Sequence, residues 1–151
     1  MGRTAYCLDR DVGGDWESVA GKGSVRVLVV DDDPRFVSAL LPLFDGDDRI
    51  VVVGTAGNGE QAVSRAILLR PDVVTMDLEM PVMDGVEATR RIRTTLPTTT
   101  VIVVSASEYP DRAQAAREAG AAAYLSKSRA VEELIPTIHA VAKGETFISV
   151  L

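Results

Sequence analysis

Val73-Val74-Thr75-Met76-Asp77-Leu78-Glu79-Met80-Pro81 is a short apolar run that ends in a carboxylate and then in turn residues. Val73, Val74 and Met76 are apolar on both sides of the alternation, as in strands covered on both faces of a sheet. Asp77 then stands where a buried strand leaves its sheet. In open parallel sheets flanked by helices, ligands bind outside the carboxyl ends of the strands. An isolated Asp after a strand more often caps a turn, so the case for Asp77 rests on what stands at the other strand ends.

Val25-Arg26-Val27-Leu28-Val29-Val30 is a β-branched run that stops at Asp31-Asp32-Asp33-Pro34, where a helix begins at the proline. Phe36, Val37, Leu40, Leu41 and Phe44 give that helix one apolar face, and Pro42 predicts a kink or an early end. Ile50 to Val53 reads as a second strand, and Asn58-Gly59-Glu60 opens a second helix. Beyond Asp77, Asp84 caps a third helix over Val86 to Thr95, whose arginines form a solvated face. Val101 to Val104 is a fourth strand ending at Ser105. The helix over Asp111 to Ala119 points mostly alanine inward and should be loosely held. Ala121 to Ser126 is the fifth strand, followed by Lys127, and a last helix carries the stripe Val131, Leu134, Ile135, Ile138 and Val141. Five alternations of strand and helix predict an α/β fold: a five-stranded parallel sheet, order 2-1-3-4-5, flanked by five helices with right-handed crossovers.

The 151 residues hold one domain and an appendage, with 46% apolar and 25% charged residues, as in soluble globular proteins. Residues 1–24 lack a sustained apolar period and read as a flexible leader with Trp16 and Val19 as docking points; 25–143 form the domain, and 144–151 a linker or tail. The net charge of −6 argues against nucleic-acid binding by this chain. No apolar run reaches the roughly 20 residues of a membrane helix. One cysteine and one histidine leave neither an internal disulfide nor a zinc site, which points to the cytoplasm.

In that strand order Asp31, Asp32 and Asp77 converge at one sheet edge. Three carboxylates that close need a cation to stay ionised, and oxygen donors suit Mg2+. Lys127 and Ser105 project to the same rim. If Asp77 attacks a phosphoryl donor, the metal, the ammonium and the hydroxyl are placed to hold the phosphoryl oxygens.

These residues, together with Asp84-Gly85 and Tyr124, resemble the receiver domain of two-component response regulators, a flavodoxin-like fold, over about Val25 to Lys143. The resemblance implies that Asp77 is the phosphoacceptor and that Asp32, Asp77 and the Glu79 backbone carbonyl ligate Mg2+, with Asp31 acting through water. It implies that Ser105 and Lys127 bind the phosphoryl group, and that Tyr124 turns inward when Ser105 is drawn to it. Glu79 and Ser107 occupy the variable positions that, in the family the chain resembles, tune how long the acyl phosphate survives. Ser128 stands where many receivers carry a cis-proline after the lysine.

The expected function is a phosphorylation switch that is not itself an enzyme, driven by a sensor histidine kinase and able to pair with a second copy. The ending Lys143 to Leu151 resembles the linker of nitrate-response-type regulators, which control transcription through a following DNA-binding domain. That favours an excised receiver over a single-domain regulator. Two other readings compete: a phosphorylation-independent binding scaffold, and a haloacid dehalogenase-type phosphatase using Asp31 and Asp33.

Overall fold

The computed structural model describes residues 23–150, so residues 1–22 of the expected leader, with Trp16 and Val19, lie outside the described residues. The elements follow in the order β1 (Val25–Val30), α1 (Pro34–Asp45), β2 (Ile50–Ala56), α2 (Gly59–Leu69), β3 (Val73–Met76), α3 (Gly85–Thr95), β4 (Thr100–Ser105), α4 (Pro110–Glu118), β5 (Ala123–Ser126), a single 3-10 turn over Lys127–Arg129, α5 (Ala130–Ala142) and β6 (Ile148–Val150). All strand pairs are parallel, in the order β2-β1-β3-β4-β5-β6.

The expected order of the first five strands is therefore present. One strand is added: Ile148, Ser149 and Val150 pair with Ala123, Tyr124 and Leu125 along the edge of β5. Ile148 and Val150 are half-buried while Ser149 is exposed, the alternation of a strand packed on one face. The segment expected to be only linker or tail thus contributes a strand to the sheet.

The sheet separates two cores. On one face Val27, Val29, Ile102, Val104 and Leu125 pack against Leu40 and Phe44 of α1 and Leu134, Ile138 and Val141 of α5. On the other Leu28, Val30, Val74, Met76 and Val103 meet α2, α3 and α4 through Ala62, Ala66, Ala88, Ile92, Ala113 and Ala116. Strand β3 is buried at all four positions, so both sides of its alternation are apolar for a reason. Helix α4 places only Ala113 and Ala116 in the core and has no side-chain cap at its start. With so little apolar area removed from water, it is the helix held most weakly by packing.

The two proline-bearing helices run on. Helix α1 continues through Pro42 to Asp45, and Pro42 is exposed, so the hydrogen bond that the proline deletes lies on the solvent side. Pro136 is likewise exposed within α5.

Candidate functional site

The ladder carries two acids past the end of the sheet. Asp31 N–H donates to the Ala56 carbonyl at 3.0 Å, and Asp77 N–H donates to the Val30 carbonyl at 3.0 Å. Each acid therefore remains tied to the neighbouring strand, and β1 and β3 lie side by side. The result is that Asp31 and Asp77, 5% and 6% exposed, meet at the end of the sheet together with the exposed Asp32. One oxygen from each of the three carboxylates lies within 4.8 Å of the others.

Lys127, one residue past β5, supplies the opposite charge. Its Nζ lies 2.7 Å from Asp31 Oδ2 and 3.6 Å from Asp77 Oδ2. The ammonium also sits 4.4 Å from the centre of the Phe36 ring on α1, a cation–π contact that fixes where the side chain lies. Burial works against this charge, but the hydrogen bond to Asp31 and the charges of Asp77, Asp31 and Asp32 outweigh it and hold Lys127 above its ordinary value. Asp77 is raised as well, which for an acid disfavours the charged form: burial, then the charges of Asp31 and Asp32, push it up to about 7 against the pull of Lys127.

The remaining polar groups orient these. Asp31 Oδ1 accepts from Asp33 N at 2.8 Å, and Asp77 Oδ1 accepts from Leu78 N at 2.9 Å. In β4, Val103 is level with Met76, so Ser105 ends its strand beside Asp77. Ser105 is fully buried and its Oγ accepts from Ser107 N at 3.1 Å. Tyr124 is also fully buried, its hydroxyl donating to the Ser107 carbonyl at 2.7 Å. The aromatic expected to turn inward thus already lies inward. Ser128, in the place of a cis-proline, joins Ser126 Oγ at 2.9 Å and Glu108 at 3.1 Å.

The loop between β3 and α3 is held from two sides by glycines. Gly85 N–H donates to Leu78 O at 2.8 Å, and Gly59 N–H donates to Met83 O at 3.0 Å. A Cβ on Gly85 would lie 1.9 Å from the Asp77 carbonyl oxygen, and one on Gly59 would lie 2.3 Å from Met83 O. Val82 in the same loop adopts a left-handed φ of 72°, strained for a β-branched residue. The Glu79 side chain meets Arg112 Nη2 of α4 at 2.5 Å.

Among the sequence-derived candidates, Asp31, Asp32, Asp77 and Lys127 come together. Ser105 and Tyr124 stand behind them, linked through Ser107, and Glu79 flanks the site in the β3–α3 loop. Asp33 does not join the cluster: it caps α1 by accepting from Arg35 N at 2.9 Å and pairs with Arg35 Nε at 3.2 Å. The phosphatase reading thereby loses its second acid. Arg112, Phe36 and Gly59 were not expected; only Gly59, beside the helix cap Asn58, carried a local signal.

The donor set fits a hard divalent cation. Among the described residues three carboxylates face a single ammonium, all three donors are oxygens, and Asp77 is pushed toward its neutral form by burial and then by its acidic neighbours, a penalty that a divalent charge offsets.

The family model described as the response regulator receiver domain matches residues 27–139. The chain belongs to that family. It is 43% identical over 106 residues to a protein-glutamate methylesterase/protein-glutamine glutaminase of Pseudomonas syringae pv. syringae, covering 70% of this chain and 28% of that protein. It is 36% identical over 125 residues to the response regulator GacA of Pseudomonas viridiflava, covering 83% of this chain and 58% of that one. The crystal structure of a LuxR-family two-component response regulator from Aurantimonas superposes with a TM-score of 0.78 at 30% identity, covering 85% of this chain and 89% of that chain. This receiver therefore spans less than a third of the methylesterase and under two thirds of GacA. No helix among the described residues is long and apolar enough to cross a membrane.

Proposed function

We propose that this receiver is a phosphorylation switch in which Asp77 accepts a phosphoryl group from a sensor histidine kinase in the cytoplasm. The observation that carries the reading is the meeting of Asp31, Asp32 and Asp77 within 4.8 Å beside the Lys127 ammonium. Asp32, Asp77 and the Glu79 carbonyl would hold Mg2+, with Asp31 acting through water. Bound there, such an ion would supply positive charge opposite the phosphoryl oxygens and favour the charged, nucleophilic form of Asp77.

In the transfer an Asp77 carboxylate oxygen attacks phosphorus, the bond from phosphorus to the donor breaks, and that electron pair leaves with the donor. Lys127 exchanges one carboxylate for the incoming dianion, and the Ser105 hydroxyl donates to another phosphoryl oxygen. Ser105 and Tyr124 share the Ser107 backbone, so movement of Ser105 is felt at the tyrosine and in weakly packed α4. That helix is the element whose position the phosphoryl group biases. Hydrolysis of the acyl phosphate is the chain's own reset, and no further enzymatic activity is assigned to it.

Output lies outside the receiver. The wider coverage of GacA and the LuxR-family structure support transcription control of the nitrate-response type through a DNA-binding domain. The 43% identity to the methylesterase supports an enzymatic output instead. Titration of the full chain with beryllofluoride and Mg2+ tests the switch. Wild type should bind and change the environment of Tyr124, and Asp77→Asn should not respond. No response from wild type would leave a phosphorylation-independent scaffold as the better reading.

A further inference from the structure

A cleft of about 320 Å³ opens beside the carboxylate cluster, sharing Asp32 with it, and runs between the β3–α3 loop and α4. Its charged lining is Asp32, Glu79, Asp84 and Arg112, so a dianion entering here passes three carboxylates and a single guanidinium. In the structure that guanidinium is paired with Glu79 at 2.5 Å. The pair also joins the loop that follows Asp77 to the first turn of the most weakly packed helix.

We propose that Arg112 governs the approach of small anionic phosphodonors, and that its pairing with Glu79 sets how readily they reach Asp77. Paired, the guanidinium spends its charge on Glu79; released, it draws anions into a mouth that is otherwise acidic. The inference rests on Asp77 as the phosphoacceptor. In the step it governs, an Asp77 oxygen bonds to the phosphorus of an acyl phosphate such as acetyl phosphate. The phosphorus–oxygen bond to the acetyl group breaks, and acetate leaves with the electron pair. Asp77, Lys127 and the metal ligands perform that exchange, and Arg112 acts on approach.

Both partners are partly exposed, at 38% for Arg112 and 70% for Glu79, so the effects are modest and screened by salt. The experiment is the initial rate of phosphoryl incorporation from acetyl phosphate with Mg2+, on the full chain, at low and high ionic strength. Glu79→Gln frees Arg112 and should raise the rate about two- to fivefold at low salt, the scale of an exposed ion pair. Arg112→Gln leaves Glu79 uncompensated and should lower it by a similar factor. The double variant should return close to wild type, and all differences should shrink at high salt. Loss of fold would lower every rate, so the opposite signs separate charge from structure. The inference is overturned if wild type labels Asp77 while both single variants shift the rate the same way, leave it unchanged, or keep their effect at high salt. A wild type that takes no label on Asp77 sinks the phosphoacceptor reading itself.

Discussion

Gly85→Ala sets two effects of opposite sign against each other. Within a helix, glycine to alanine stabilises by up to about 1 kcal/mol, because alanine loses less backbone entropy on folding. At Gly85 the new Cβ would stand 1.9 Å from the Asp77 carbonyl oxygen, 2.8 Å from Leu78 Cα and 2.9 Å from Asp77 C. All three atoms are backbone, so no side-chain rotation relieves the contact. Bringing 1.9 Å to the 3.0 Å below which such contacts essentially never occur needs a movement of about 1.1 Å. Overpacking of this kind costs about 1–3 kcal/mol, and the propensity gain at the first helical residue is smaller than in the interior, so the clash wins. The variant should lose about 1–2 kcal/mol and melt several degrees lower. Because the atoms pushed belong to Asp77 itself, a shift near 1 Å should also slow phosphoryl uptake, by roughly 100-fold. Thermal unfolding and incorporation from acetyl phosphate measure the two losses separately. A variant as stable as wild type, with a rate within about twofold of it, would refute the reasoning that the bare Cα of Gly85 seats the Asp77 loop.

Val82 is 75% exposed and has a left-handed φ of 72°, so Val82→Asn relieves backbone strain without losing burial and should raise stability by about 0.5–1 kcal/mol in a denaturant titration. Asp77 is pushed from 3.8 up to about 7 by burial and by its acidic neighbours. The folded chain thus binds a proton that the unfolded chain lacks between those values, and metal-free stability should fall as pH rises from about 4 through about 7. Asp77→Asn removes that loss: its advantage in melting temperature over wild type should be small near pH 4 and larger near pH 8, and Mg2+ should narrow it at the higher pH. Tyr124→Phe removes the 2.7 Å bond to Ser107 O and should lose about 1 kcal/mol, seen as a lower melting temperature.

How far the sequence could be read followed from what each residue's role depends on. Strand β3 and Asp77 were legible because burial on both faces forces a continuous apolar run, and the end of that run is visible in composition alone. The Asp31-Asp32 pair was legible for the same reason at the end of β1, and the parallel alternation then placed the two ends together. Strand β6 was not recognised, although Ile148-Ser149-Val150 alternates, because three residues carry too weak a period and only the open edge of β5 makes them a strand. The pairing of Glu79 with Arg112 spans 33 residues and has no local signature. Whether Tyr124 lies in or out is a matter of side-chain orientation, set by the Ser107 carbonyl rather than by the residue type. Pro42 misled in one respect: a proline ends a helix only when the lost hydrogen bond matters, and on the exposed face of α1 water replaces it.

The most direct test of the central assignment is to locate the phosphoryl group. Incubation of the full chain with acetyl phosphate and Mg2+, followed by peptide mass spectrometry, should find a single phosphoryl group on the peptide that contains Asp77. It should be released by hydroxylamine and absent from Asp77→Asn. A group carried on a serine or on another aspartate, persisting unchanged in Asp77→Asn, would contradict the account.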